Sequence, residues 1–266
     1  MKAGIAFFLY AARALRDLDL PVRRNVALLL VSDEEVGSRD SRLLTEAEAK
    51  QSNCVLVLEP GSSLTGKLKT ARKGIAGYRL TVEGKAAHAG VDFGDGASAI
   101  VELAKQIDRI SGFTDLKRGT TINAGLVRGG TRTNVVAAEA HVDVDVRVVR
   151  PQDARIVHRK LHALRPFNKR CKLTVEGGLN RPPMERTKAV VDLFSKAKEI
   201  GAEMGMDLQE SSTGGGSDGN FTAALGIPTL DGLGAVGEGA HAINESILID
   251  RIADRTALLA GLLSRL

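Results

Sequence analysis

The sequence predicts an α/β protein, a mostly parallel sheet with helices on both faces, split by an inserted α+β domain of βαββαβ order. Three observations carry this. Two short aliphatic runs, "NVALLLV" from Asn25 and "CVLVLEPG" from Cys54, lack the alternation of a half-exposed strand and suit strands buried on both faces. A helical pattern over residues 38–50 lies between them, which gives the strand, helix, strand rhythm of α/β domains. From near Thr70 the style changes to alternating apolar and polar residues, and the first style returns at Lys188.

Taken in order, the N-terminal "MKAGIAFFLYAARAL" superficially resembles a secretory leader. However, Ile5, Phe8, Leu9, Ala12, Leu15 and Leu18 recur at helical spacing, and Arg13, Arg16 and Asp17 fall off that face before Pro21 ends the pattern. An amphipathic helix packed on the core is expected. No apolar run approaches the roughly 20 residues of a membrane span.

The inserted region begins with the alternating "ARKGIAGYRLTVEGKAAHAG", followed by a helix in "GASAIVELAKQIDRI" and two alternating strands, "TTINAGLVRGG" and "NVVAAEAHVDVDVRVV". The helix "PQDARIVHRKLHAL" opens with Pro in its first turn, and "KRCKLTVEGG" closes the set. A ferredoxin-like four-stranded antiparallel sheet with two helices on one face buries those stripes economically. The expected domains are residues 1–70 with 181–266, and an insertion at 71–180. The last segment adds a helix in "AVVDLFSKAKEIGAEMG", the glycine-rich "STGGGSDGN", a short helix "FTAALG", the strand "IPTLDGLG", the loop "AVGEGAHAINE" and a terminal helix.

Composition narrows the function. With 43% hydrophobic and 26% charged residues, the chain has the material for an ordinary globular core. Its net charge of +5 is scattered rather than clustered, and with no Trp and two Tyr there is little to stack bases on, so nucleic-acid binding is not expected. Cys54 and Cys171 sit in strand-like apolar runs without metal-ligand spacing, as buried free thiols do, which fits a reducing cytoplasm.

The charged chemistry gathers at strand ends. Glu34 and Glu35 end the first aliphatic run and Glu59 the second, and open parallel sheets bind ligands beyond the carboxyl ends of their strands. His241 lies in an Ala-Gly loop without apolar periodicity, whereas His141, His158 and His162 fall on strand and helix positions of the insertion and read as structural. "GGGSDGN" is not followed by Lys and is no phosphate loop.

Seven motifs, "VSDEEVGS", "VLEPG", "GKAAHAG", "GGTRTNVV", "LNRPPM", "GGGSDGN" and "GAHAINE", occur in an order that resembles the zinc aminoacylase and glutamate carboxypeptidase family, which includes acetylornithine and succinyl-diaminopimelate deacylases. The resemblance implies a split zinc-peptidase-like catalytic domain with an inserted dimerisation domain, two zinc ions per subunit, a homodimer, and cleavage of an amide next to a free carboxylate. It assigns Glu34 as general base, Glu35, Glu59 and His241 as zinc ligands, and His88 as an oxyanion donor. Asn134 and Arg181 then contact the substrate, the latter at its carboxylate, and Gly215, Gly216, Ser217 and Asp218 belong to a loop whose backbone approaches it. Asp33 is expected only to orient the turn or to be solvated. The chemistry is consistent: zinc accepts carboxylate and imidazole ligands, and a carboxylate beside a metal-bound water is a suitable base.

The same pattern places a bridging aspartate directly before a Met-Lys pair, with a further histidine upstream, and this chain starts at Met1 and Lys2. The expectation is therefore of a truncated family member, short of two metal ligands and with exposed apolar strand edges. The alternative is a non-catalytic protein that dimerises or binds a carboxylated ligand.

Overall fold

The computed structural model describes residues 2–266. The chain forms two compact units, Met1–Arg72 with Met184–Leu266, and Lys73–Pro183. In chain order the first unit contains α1 (Lys2–Asp17), α2 (Arg42–Lys50), β1 (Val55–Leu56) and β2 (Leu68–Arg72). The second contains β3 (Gly74–Glu83), α3 (Ala99–Ser111), β4 (Thr121–Gly129), β5 (Glu139–Val148), α4 (Pro151–His162) and β6 (Lys172–Arg181). The chain then returns to the first unit with α5 (Lys188–Glu203), β7 (Glu210–Thr213), α6 (Gly219–Ala224), β8 (Thr229–Leu230), β9 (Gly237–Glu238), β10 (Ser246–Ile247) and α7 (Ile252–Arg265).

The inserted unit is a four-stranded antiparallel sheet of order β4-β5-β3-β6. Strict alternation produces it. Ala76, Tyr78, Leu80 and Val82 of β3 and Ala140, Val142, Val144, Val146 and Val148 of β5 all point to the face covered by α3 and α4. The opposite face is polar and carries ion pairs such as Arg79 with Asp143. β3 and β5 pair along ten residues, from Gly74 with Val148 to Glu83 with Glu139. Ser98 caps α3 by accepting the Val101 N–H, and Pro151 opens α4.

The split unit has parallel pairs instead, β1 with β8 and β2 with β7. Its core joins Leu68, Leu193, Phe194, Ile200, Leu230, Leu233, Leu258 and Leu262. α1 packs with Phe7, Ala11 and Leu15 against Ala235, Leu259 and Ala260. The buried face of α1 is thus turned from the expected one, for Ile5, Leu9 and Leu18 are exposed. Gly4 explains the rotation: a Cβ there would lie 2.6 Å from the Leu58 carbonyl oxygen, so the helix approaches the segment just after β1 along its smallest side.

One expected strand does not form. Residues 25–31, "NVALLLV", run without strand pairing, and Val26, Leu28, Leu29 and Leu30 are exposed. An aliphatic run becomes a buried strand only when neighbours supply its hydrogen bonds and cover both faces, and among the described residues no strand lies beside it. The helix expected from residue 38 starts at Arg42, because Ser38 occupies the left-handed region at φ 53°. Cys54 is half-buried just before β1, and Cys171 is buried just before β6.

Candidate active site

In the split unit, Glu34–Val36 forms a single 3-10 turn that closes on Gly37, itself left-handed at φ 97°. Asp33 organises this turn: its carbonyl accepts the Val36 and Ser38 N–H groups, and its carboxylate accepts those of Asp40 and Ser41. Hydrogen bonding, led by Ser41, holds the Asp33 carboxyl below the usual aspartate range. Glu34 is half-buried and Glu35 exposed on the turn.

The turn is tied to the glycine-rich loop. Ser38, fully buried, donates its hydroxyl to Asp218 Oδ1 at 2.5 Å, joining motifs that lie 180 residues apart in the chain. The loop itself is held by a buried bidentate pair, Arg72 Nε and Nη2 donating to the Asp231 carboxylate at 2.8 Å each. The remaining Arg72 nitrogen donates to the carbonyls of Gly215 and Gly216, both at 3.1 Å. Ser217 donates to Asp231 Oδ2 at 2.6 Å and accepts the Gly219 N–H. Glycine at 219 leaves room for this, since a Cβ would lie 3.0 Å from Val57 and 3.1 Å from Asp231 Oδ2.

Glu59 follows β1 and feels the same group. Burial first, then the charge of Asp231, raises its pKa above the usual glutamate value, with Arg72 and Lys69 opposing. Lys69 is pushed down, by burial and by Arg72. Below this, the buried Arg255 donates to the carbonyls of Gly234, Gly66 and Gly232, and burial lowers its pKa to about 10. His241 is exposed on the loop between β9 and β10, in the left-handed region at φ 65°.

Within the inserted unit, His88 bridges to Val135, and the Ala89 N–H donates to the Asn134 carbonyl, so His88 and Asn134 lie on adjacent exposed segments. His88 Nδ1 accepts the N–H groups of Gly90 and Val91, both at 3.2 Å. In the neutral ring the proton then resides on Nε2, which makes that nitrogen a donor. Arg181 ends β6, buried, with Nη1 donating to Asn180 Oδ1.

The residues expected at the site thus fall into two sets, Glu34, Glu35, Glu59, His241 and Gly215 to Asp218 on the split unit, and His88, Asn134 and Arg181 on the insertion. Ser38, Lys69, Arg72 and Asp231 escape sequence reasoning. Asp231 had a signal: "IPTLD" is a third apolar run that ends in an acid. Arg72, inside an alternating strand pattern, had none. Among the described residues no group of three or more His, Cys, Asp or Glu side chains is placed to hold a metal ion. Glu35, Glu59 and His241 are thus not gathered into one such group among the described residues.

Comparison with known proteins accords with this arrangement. Residues 70–166 match the M20 peptidase dimerisation domain. Carboxypeptidase G2 of Pseudomonas sp. (strain RS-16) is 31% identical over 271 residues, covering 98% of this chain and 64% of the relative. Succinyl-diaminopimelate desuccinylase of Bordetella petrii is 30% identical over 261 residues, covering 93% of this chain and 67% of that enzyme. The crystal structure of aminopeptidase PepT from Bacillus cereus superposes with a TM-score of 0.83 at 26% identity, over 99% of this chain and 70% of that one. The chain spans about two thirds of the length of these proteins. With its divided α/β unit, its inserted antiparallel sheet and these relatives, the chain belongs to the M20 family of metallopeptidases.

Proposed function

We propose that this chain carries the chemistry of an amide hydrolase that acts next to a free carboxylate, as a carboxypeptidase or an N-acyl-amino-acid deacylase. The observation that carries this reading is the Ser38 to Asp218 hydrogen bond, which joins the "DEE" turn to the glycine-rich loop. Glu34 is the base, Glu35, Glu59 and His241 are zinc ligands, and His88 Nε2 is the oxyanion donor. Arg181, with the planar fork that suits a carboxylate, holds the substrate's acid group, and Asn134 and the backbone of Gly215 to Asp218 position the rest. A carboxypeptidase and a desuccinylase among the relatives support that substrate class.

The partner we propose is a second copy of the chain. β4 is an open edge strand, and Leu126 and Val127 on it are exposed, as are Ile100 and Val101 on α3. Such an edge with an apolar border suits pairing between copies, and sedimentation tests it.

A second reading has its own observation. Among the described residues the three proposed ligands are not gathered into a metal-holding group, which supports a reading in which the chain by itself holds zinc weakly and hydrolyses slowly, acting as a dimerising or ligand-binding protein. Assaying N-acyl amino acids and peptides ending in acidic residues, with added zinc, separates the two. Turnover that falls about 100-fold or more in Glu34→Gln supports the hydrolase. Turnover indifferent to that change removes Glu34 as base, and carboxylate binding without turnover favours the second reading.

A further inference from the structure

The insertion carries an arrangement that neither reading uses. His158 and His162 stand four residues apart on the exposed side of α4, with ring centroids 4.3 Å apart. Residues at this spacing share one helical face, and it is the spacing at which two helix-borne histidines ligate one metal ion. The buried Tyr78, on β3, places its hydroxyl 3.1 Å from His158 Nδ1. With Nδ1–H donating to the Tyr78 hydroxyl oxygen, the ring is fixed and Nε2 carries the lone pair open to a ligand. A hydrogen bond to the second ring nitrogen is the usual companion of a metal-bound histidine.

We infer that His158 and His162 form a two-ligand surface site for a late first-row divalent cation, Cu²⁺ ahead of Zn²⁺, with water completing the coordination. Imidazole suits these ions, and the order follows their general affinity for nitrogen ligands. The residues between are Arg159, Lys160 and Leu161, so no carboxylate stands where a helix-borne hydrolytic site would carry its base. The site binds and releases metal; it does not hydrolyse. Arg155, Arg159 and Lys160 oppose a cation there, although the Lys160 ammonium is drawn over the Phe113 ring at 5.1 Å. Affinity should therefore be modest, which again favours Cu²⁺.

The test is a titration of the metal-free full chain with Cu²⁺, followed by calorimetry and by electron paramagnetic resonance, which registers imidazole nitrogen on copper. One imidazole-ligated Cu²⁺ per chain is expected, lost in His158→Asn and in His162→Asn, whose side chains are exposed and removable without loss of folding. Tyr78→Phe should weaken binding about tenfold by freeing the ring. His141→Asn should leave it unchanged. Imidazole-ligated copper that survives unchanged in the His158 and His162 variants, or that is lost equally in His141→Asn, would overturn the assignment, as would no binding at all.

Discussion

The two units solve the problem of burial differently. In the insertion, long antiparallel strands alternate cleanly, and an aliphatic layer of β3, β5, α3 and α4 forms the core. In the split unit the strand pairs are short, and much of the framework under the candidate site is polar: Arg72 with Asp231, Ser217 with Asp231, and Arg255 on three carbonyls. An apolar core tolerates substitution by degrees. A buried charge pair does not, because removing one partner strands the other in a low-dielectric site. The unit that carries the proposed catalytic groups is thus the one most sensitive to single polar changes.

The largest expected effect breaks that polar framework. Arg72→Met should cost about 3–5 kcal/mol and release the loop from Gly215 to Asp218, seen as a fall in denaturation midpoint and faster amide exchange there. The double variant Arg72→Met/Asp231→Leu should recover much of the loss, since no buried charge is left unpaired. In the insertion, Leu80→Ala should cost about 2–5 kcal/mol by emptying a fully buried position, with exchange accelerated in β3 and β5 and not in the split unit's loop. Uniform acceleration in both units would erase the contrast between them.

A smaller effect depends on pH. Because burial raises the Glu59 pKa, the folded chain holds that proton more tightly than the unfolded chain. Ionising Glu59 then costs stability: nothing below the unfolded glutamate pKa of about 4.3, and the full amount above the raised folded value. Glu59→Gln should therefore raise the melting temperature at neutral pH, with the gain vanishing in acid. A carboxylate that weakens its own fold suits the cation-binding role proposed for Glu59, since stability is often given up at functional residues. The smallest effect is expected at the unpaired run, where Leu28→Asp should change stability by no more than about 0.5 kcal/mol, measured by denaturant melts. A multi-kilocalorie loss there would show the run to be buried.

The insertion was legible almost element by element, because period-two alternation in β3 and β5 reports directly which face is covered. The run at residues 25–31 misled, since an aliphatic run encodes the demand for burial but not the presence of neighbours to meet it. The rotation of α1 was hidden for a related reason: its hydrophobic residues nearly encircle the helix, and Gly4 and Ala11 decide the contact by their small size. At the site, the acids and His241 stood out as residue types. Arg72 did not, because a buried arginine in an alternating strand reads as a solvated one until its partner, 159 residues away, is known.

The most direct test is the zinc retained by the purified chain after exhaustive dialysis in the absence of chelators. Because no group of three or more candidate ligands is gathered among the described residues, zinc should be far below stoichiometric, and Glu59→Gln, a change at a proposed ligand, should lower it further. Stoichiometric, tightly held zinc that depends on those residues would contradict the account, showing that this chain assembles a complete metal site from its own side chains.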